Sequence, residues 1–76
     1  MNPNPVALVL TNDQALVLFE LLSRFLDNNE LKIIDRAEEL VLLKFQGQLE
    51  STLVEILLPN YAELVNQARN RLRDPV

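Results

Sequence analysis

Residues 11–27, TNDQALVLFELLSRFLD, decide the fold of this chain, because apolar residues recur in them at helical spacing. On a helical wheel the apolar residues fill one continuous arc of about 200°, roughly twice the width that a surface helix needs. The polar residues of the other side are Glu20, Ser23, Arg24 and Asp27. We therefore predict a helix over about 12–27 that is either central to the domain or pressed against a second chain.

Three helix starts share one chemical signature, a side-chain acceptor at the N-cap followed three residues later by Glu or Gln. Each start opens a run of apolar residues at helical spacing, so the three together predict three helices. The pairs are Thr11 with Gln14, Asp35 with Glu38, and Asn60 with Glu63.

The second helix is predicted over about 36–58, since Pro59 pushes the residue before it out of the helical conformation. It carries two apolar stripes. The main stripe has i, i+3 and i+4 spacing and comprises Leu42, Phe45, Leu49, Leu53 and Ile56, with Val41 at its margin. The second follows a seven-residue step and comprises Leu40, Leu43, Gly47, Val54 and Leu57.

Gly47, the only glycine in the chain, has two interpretations. A glycine among large apolar residues lets another helix backbone approach closely, as at the crossing point of a two-fold dimer. Alternatively it kinks the helix, because Gly costs about 1 kcal/mol relative to Ala in a helix interior. We expect a continuous helix.

The third helix, predicted over about 61–72, is apolar on one face only. Arg69, Arg71 and Arg73 crowd its last turns, where cations complement the helix dipole. The same three arginines are a candidate anion patch for phosphate or acidic groups.

Two extended segments, residues 6–10 and 31–34, flank the first helix. They could pair as a short parallel ribbon, but we expect apolar straps that cover helix ends. Residues 1–5 contain an Asn-Pro repeat and are predicted to be a disordered tail. The resulting fold is all-α and single-domain: a helical hairpin with a third helix folded back along one edge.

The chain has more apolar residues than a small domain can easily bury. It has 76 residues, of which 49% are hydrophobic, and it has no Cys and no His. Small domains usually compensate for a thin core with disulfides, metal or oligomerisation, and only the last is open here. We predict a homodimer or higher oligomer, with an interface comprising Val17, Leu21, Leu40, Leu43, Gly47 and Val54.

Enzymatic chemistry is disfavoured by the same composition. Without His or Cys there is neither the usual general base nor a thiol nucleophile. Glu38 and Glu39 are helix neighbours that point about 100° apart and cannot converge on one atom. We expect no catalytic residue, no cofactor and no metal site.

Charge and segment lengths bear on partners and location. The net charge is −4, which disfavours phosphate backbones and anionic membrane surfaces. The longest apolar runs are too short to cross a bilayer, and residues 1–10 do not resemble a signal peptide. Together with the absence of cysteine, these features favour a soluble cytoplasmic protein.

Several short pieces of sequence, spread over most of the chain, carry a resemblance to known proteins. They are Leu10-Thr11, residues 15–20 (ALVLFE), Ala37-Glu38, Leu49-Glu50, residues 53–55 (LVE), Tyr61 and Ala68-Arg69. In these pieces the chain resembles a group of short, uncharacterised bacterial helical proteins. The resemblance implies no biochemical activity. We therefore expect a self-associating protein-interaction or regulatory module, which could also bind another protein. The alternative is weak nucleic-acid or phosphate binding through the three C-terminal arginines.

Overall fold

The fold contains three α-helices joined by short connections. The structure, a computed structural model, describes residues 4–28 and 32–74. The helices are α1 (Asn12–Asn28), α2 (Arg36–Thr52) and α3 (Tyr61–Arg73), and a 3-10 helix, η1 (Val54–Leu57), lies between α2 and α3. Within the described residues there is no strand. The prediction of an all-α, three-helix fold is confirmed.

Helix α1 is the central element, and α2 and α3 pack on it in antiparallel directions. Arg71, near the end of α3, reaches Asp13 in the first turn of α1. On the other side, the Gln46 amide nitrogen of α2 donates to the Ser23 hydroxyl of α1 at 3.1 Å. The wide apolar arc of α1 is explained by this position, because two helices cover it.

Two of the three predicted N-caps are present. The Gln14 backbone N–H donates to the Thr11 hydroxyl at 3.1 Å, and the Thr11 N–H donates to the Gln14 side chain at 2.9 Å. A full capping box also joins Asp35 and Glu38 at the start of α2. These reciprocal bonds satisfy backbone donors that the first helical turn leaves without partners.

The predicted cap at Asn60 is wrong, although α3 starts where expected. Asn60 has φ −99° and ψ 28° and makes no side-chain capping bond, because a capping residue normally needs an extended backbone. The Tyr61 N–H instead donates to the Leu58 carbonyl at 3.2 Å. Glu63 accepts a bond from Gln67 one turn later.

The predicted continuous second helix over 36–58 is also wrong, because α2 ends at Thr52. The Ser51 and Thr52 hydroxyls both donate to the Gln48 carbonyl, at 2.9 and 2.8 Å, and such bonds compete with the helical pattern. Leu53 then adopts an extended backbone with φ −86° and ψ 113°. Gly47 lies inside the helix, so it is not the site of the break.

The break at Leu53 places its side chain in a small core formed mainly by α1 and α3. Its buried members are Leu16, Leu53, Val65 and Ala68, and half-buried residues such as Leu49 and Ile56 pack around them. Leu22 is buried separately on α1. Helix α2, in contrast, contains no buried residue. Its apolar side chains are therefore only partly covered within one protomer.

The two extended segments do not pair. Residues 6–10 and 32–34 have neither helix nor strand and are exposed, so neither segment covers a helix end as predicted. Leu31, the first residue of the second segment, lies outside the described residues. Of the predicted tail 1–5, only Asn4 and Pro5 are described, and both are exposed.

Candidate interaction surface

The protomer has an unusually large accessible surface for its mass. Its accessible surface is 6161 Å², whereas a monomer of this mass typically exposes about 4,700 Å². Its radius of gyration is 13.9 Å, against about 11 Å for a compact chain of this length. Residues 4–10 have no helix or strand, are exposed, and are mostly apolar.

Exposed apolar residues occur along the whole described chain. Single exposed leucines are ordinary on protein surfaces, but contiguous groups of them mark sites of interaction. The large apolar residues that remain substantially exposed are Val6, Leu8, Val9, Leu10, Ile33, Ile34, Leu40, Val41, Leu43, Phe45, Val54, Leu57, Leu58 and Leu72. They form two main groups, one on α2 and one around the start of α1.

The first group is the α2 strip, which we define as Leu40, Leu43 and Gly47. Both leucines are about half exposed, and Gly47 is exposed between them and the end of the helix. A β-carbon at Gly47 would meet nothing within 4 Å. The protomer itself therefore gives no packing reason for glycine at this position.

The other predicted interface residues lie elsewhere. Val17 and Leu21 are half-buried on α1, and Val17 packs against the core of its own protomer. Val54 is 70% exposed, but the break at Leu53 removes it from the helical register of the α2 strip. The structure thus brings Leu40, Leu43 and Gly47 together and separates them from the other three residues.

The second group is the arm end, of which the sequence analysis named only Val54 as an interface residue. It comprises the N-terminal arm (residues 6–10) and the turn between α2 and α3 (residues 54–58). The Asn12 side chain donates to the Glu55 carboxylate, so the start of α1 lies beside η1. Val6 and Val9 of the arm are 90% and 95% exposed, and Leu57 of the turn is 84% exposed. The unbroken apolar run at 6–10 was the available signal.

A shallow open depression lies at the opposite end of the α1–α2 pair. Lys32, Ile33, Glu38, Val41 and Leu42 line it. Its walls are mainly apolar, and Glu38 is already bonded to the backbone N–H groups of residues 34 and 35. The depression therefore offers little polar chemistry to a small ligand.

The C-terminal arginines do not form a free cationic patch. Arg71 makes a two-pronged contact with Asp13, with N–O distances of 2.8 and 2.9 Å. This hydrogen bond from Arg71 lowers the pKa of Asp13 below its ordinary value. Arg73 contacts the Asp74 carboxylate at 3.2 Å, and Arg69 is partly buried. Nearby carboxylates offset part of the positive charge that an anion would meet.

The most notable polar contact inside the fold joins Tyr61 of α3 to Glu20 of α1. The tyrosine hydroxyl donates to the carboxylate at 2.6 Å. Burial and, secondarily, this bond to Glu20 raise the pKa of Tyr61 well above its ordinary value. A tyrosine that holds its proton this tightly is a structural donor and a poor general base at neutral pH.

Other groups suited to chemistry are dispersed. In the part of the chain that the structure describes, no three acidic, His or Cys side chains lie close enough together to hold a metal ion. No buried side-chain polar atom in these residues lacks a hydrogen-bond partner. None of the helices at 12–28, 36–52 or 61–73 has the length and apolar character needed to span a bilayer.

Comparison with protein-family models, with curated proteins and with solved structures finds no match for this chain. The resemblance to short bacterial helical proteins therefore stays a prediction.

Proposed function

We propose that this protein is a self-associating interaction or regulatory module, without catalytic activity, that works as a homodimer or higher oligomer in the cytoplasm. The observation that carries the proposal is the apolar surface left uncovered by one protomer. Its accessible surface exceeds the value typical of a monomer by on the order of 1,400 Å². A standard protein interface removes about 800 Å² from each partner.

The placement of the exposed apolar residues on folded helices supports association between copies of the chain and argues against a disordered chain. The helices are capped and joined by specific contacts between α1 and each of its neighbours, so the exposed apolar residues lie on a defined framework. Helix α2 in particular has no buried residue although it carries six Leu, Val and Phe residues. A second copy that presents the same surface supplies the missing cover through a two-fold contact.

The proposal is tested by measuring the mass of the full chain by light scattering after size-exclusion chromatography at micromolar concentration. We expect a species of about twice the protomer mass of 8.7 kDa or more. A single 8.7 kDa species under these conditions would contradict self-association.

Two substitutions at Gly47 test whether the α2 strip contributes to the contact. Because a β-carbon there meets open space in the protomer, neither Gly47→Ala nor Gly47→Leu should disturb the monomer fold. If a second helix approaches closely at Gly47, Gly47→Leu shifts the chain toward the monomer. An oligomeric state unchanged by Gly47→Leu would remove the α2 strip from the interface, and Gly47→Ala is the matched control.

A further inference from the structure

The arm end holds the most exposed apolar side chains of the described residues. Five of the six highest exposures belong to Val6, Leu8 and Val9 of the arm and to Val54 and Leu57 of the turn. The arm leaves α1 beside η1, since Asn12 is bonded to Glu55. One end of the protomer therefore carries both an extended apolar segment and an uncovered apolar turn.

We propose that the N-terminal arm of a second copy of this chain lies across the turn, and that the two copies exchange arms reciprocally. This inference rests on the self-association proposed above and specifies the residues that mediate it. The contact is two-fold, because each chain contributes one arm and one turn to the same interface.

The area available at the arm end matches what a stable dimer needs. The seven large apolar residues of arm and turn expose the equivalent of about five full side chains, which is on the order of 500 Å² of apolar surface. A standard interface buries about 800 Å² on each partner, of which roughly 60% is apolar. The arm end alone thus supplies the apolar part of one such interface.

The alternation of side chains along the arm favours a second copy over a fold-back onto the same chain. In an extended segment, Val6, Leu8 and Leu10 lie on one face and Ala7 and Val9 on the other. Both faces are apolar, so a fold-back onto the chain's own turn would leave one of them in water. In the protomer Val6 and Val9 are 90% and 95% exposed, so the arm does not lie against its own turn.

The charges near the arm end do not oppose this arrangement. Residues 6–10 carry no ionisable side chain, and Glu55 of the turn is already bonded to Asn12. The nearest paired charges, Asp13 and Arg71, neutralise each other. The contact is therefore expected to depend on apolar burial and to respond weakly to salt.

The test uses two charged variants of the full chain, Val9→Lys in the arm and Val54→Glu in the turn, with Ile34→Lys, in the segment before α2, as the matched control. All three positions are at least half exposed, so each variant should retain the helical far-ultraviolet circular dichroism of the wild type. Sedimentation velocity measures association of each variant alone and of an equal mixture of Val9→Lys with Val54→Glu.

We expect Val9→Lys and Val54→Glu each to weaken self-association at least tenfold, whereas Ile34→Lys leaves it unchanged. Mixing the first two should restore the dimer, because the mixed dimer contains one unaltered arm–turn contact and one in which Lys faces Glu. This recovery does not occur if the arm folds onto its own turn.

Three results would overturn the exchange of arms. The first is self-association of both charged variants as strong as that of the wild type, which would leave self-association intact and place the interface elsewhere. The second is dissociation of both without recovery on mixing, and the third is a loss with Ile34→Lys equal to theirs. A wild-type chain that stays monomeric at every concentration would instead overturn the proposed function itself.

Discussion

Leu53 and Leu57 offer the sharpest test of how the chain is packed. They are four residues apart and would be neighbours on the surface of a continuous helix, Leu53 on its main stripe and Leu57 on its second stripe. In the structure α2 ends before them, so Leu53 is 3% exposed in the core while Leu57 is 84% exposed. Truncating each to Ala removes the same atoms from two very different environments.

We expect Leu53→Ala to lower the free energy of unfolding by about 2–5 kcal/mol, the range typical of large-to-small changes in a core. A domain of this size typically has a stability of about 4–11 kcal/mol, so this loss is large and can unfold much of the population. Leu57→Ala should change the stability of the protomer by less than about 0.5 kcal/mol.

Urea unfolding followed by circular dichroism measures both effects, and it should be done at the lowest usable protein concentration and again at a higher one. At low concentration only Leu53→Ala is expected to destabilise. At high concentration Leu57→Ala should also destabilise, because Leu57 is then covered by a second copy. Equal and concentration-independent losses for the two variants would show that the helix continues through Leu53, and would refute the break.

Three further predictions follow from individual contacts. Tyr61→Phe should lower stability by about 1 kcal/mol by removing the bond to Glu20. Because the pKa of Tyr61 is raised, its proton contributes stability below pH 10, and this stability is lost as the pH rises above 10. The tyrosinate absorbance of this tyrosine, the only one in the chain, should therefore titrate above pH 10. A normal titration midpoint would contradict the contact with Glu20. Because the pKa of Asp13 is lowered, its bond to Arg71 stabilises the fold above pH 3.8, and this stabilisation is lost as the pH falls through the lowered pKa. Asp13→Asn should therefore be less stable than the wild type at neutral pH but equal to it in strong acid. A difference in stability that persists in acid would exclude the ion pair as its cause. Gly47→Ala should raise the free energy of unfolding, measured in urea, by up to about 1 kcal/mol, and a decrease would show that this position is crowded.

The helix starts at Asn12 and Arg36 were predictable because their signals are local. Thr11 with Gln14, and Asp35 with Glu38, satisfy the backbone within four residues of chain, and no distant contact is needed to form them. The apolar arc of α1 likewise identified a helix that must be covered on two sides. It could not show whether the cover came from the same chain, and the structure assigns it to α2 and α3.

The end of α2 was not predictable from local pattern, since the apolar spacing continues to Leu58. The Ser51 and Thr52 hydroxyls donate to the Gln48 carbonyl, and Leu53 is buried against α1 and α3. Together these contacts end the helix although the apolar spacing continues. Tertiary packing commonly overrides helix propensity in this way. The error also misplaced Val54, which the sequence put in line with Gly47 on one helix face.

The candidate site was only partly visible in the sequence for a related reason. An excess of apolar residues predicts that some surface needs cover, but which residues remain exposed depends on how the helices pack. Leu40 and Leu43, both predicted for the interface, are about half exposed, while Val17, also predicted for it, is partly buried against the core of its own protomer. The arm was expected to cover a helix end and is exposed.

The proposal that a second copy covers the exposed apolar surface is tested most directly by the water accessibility of individual methyl groups. Methyl signals of an isotope-labelled chain are recorded with a soluble paramagnetic agent, at one concentration below and one above the onset of association. We predict that the methyls of Val9 and Leu57 are strongly attenuated in the dilute sample and protected in the concentrated one, while those of Leu53 are protected in both. Equal attenuation of Val9 and Leu57 at both concentrations would contradict the proposal, because their surfaces would then remain in water however many copies are present.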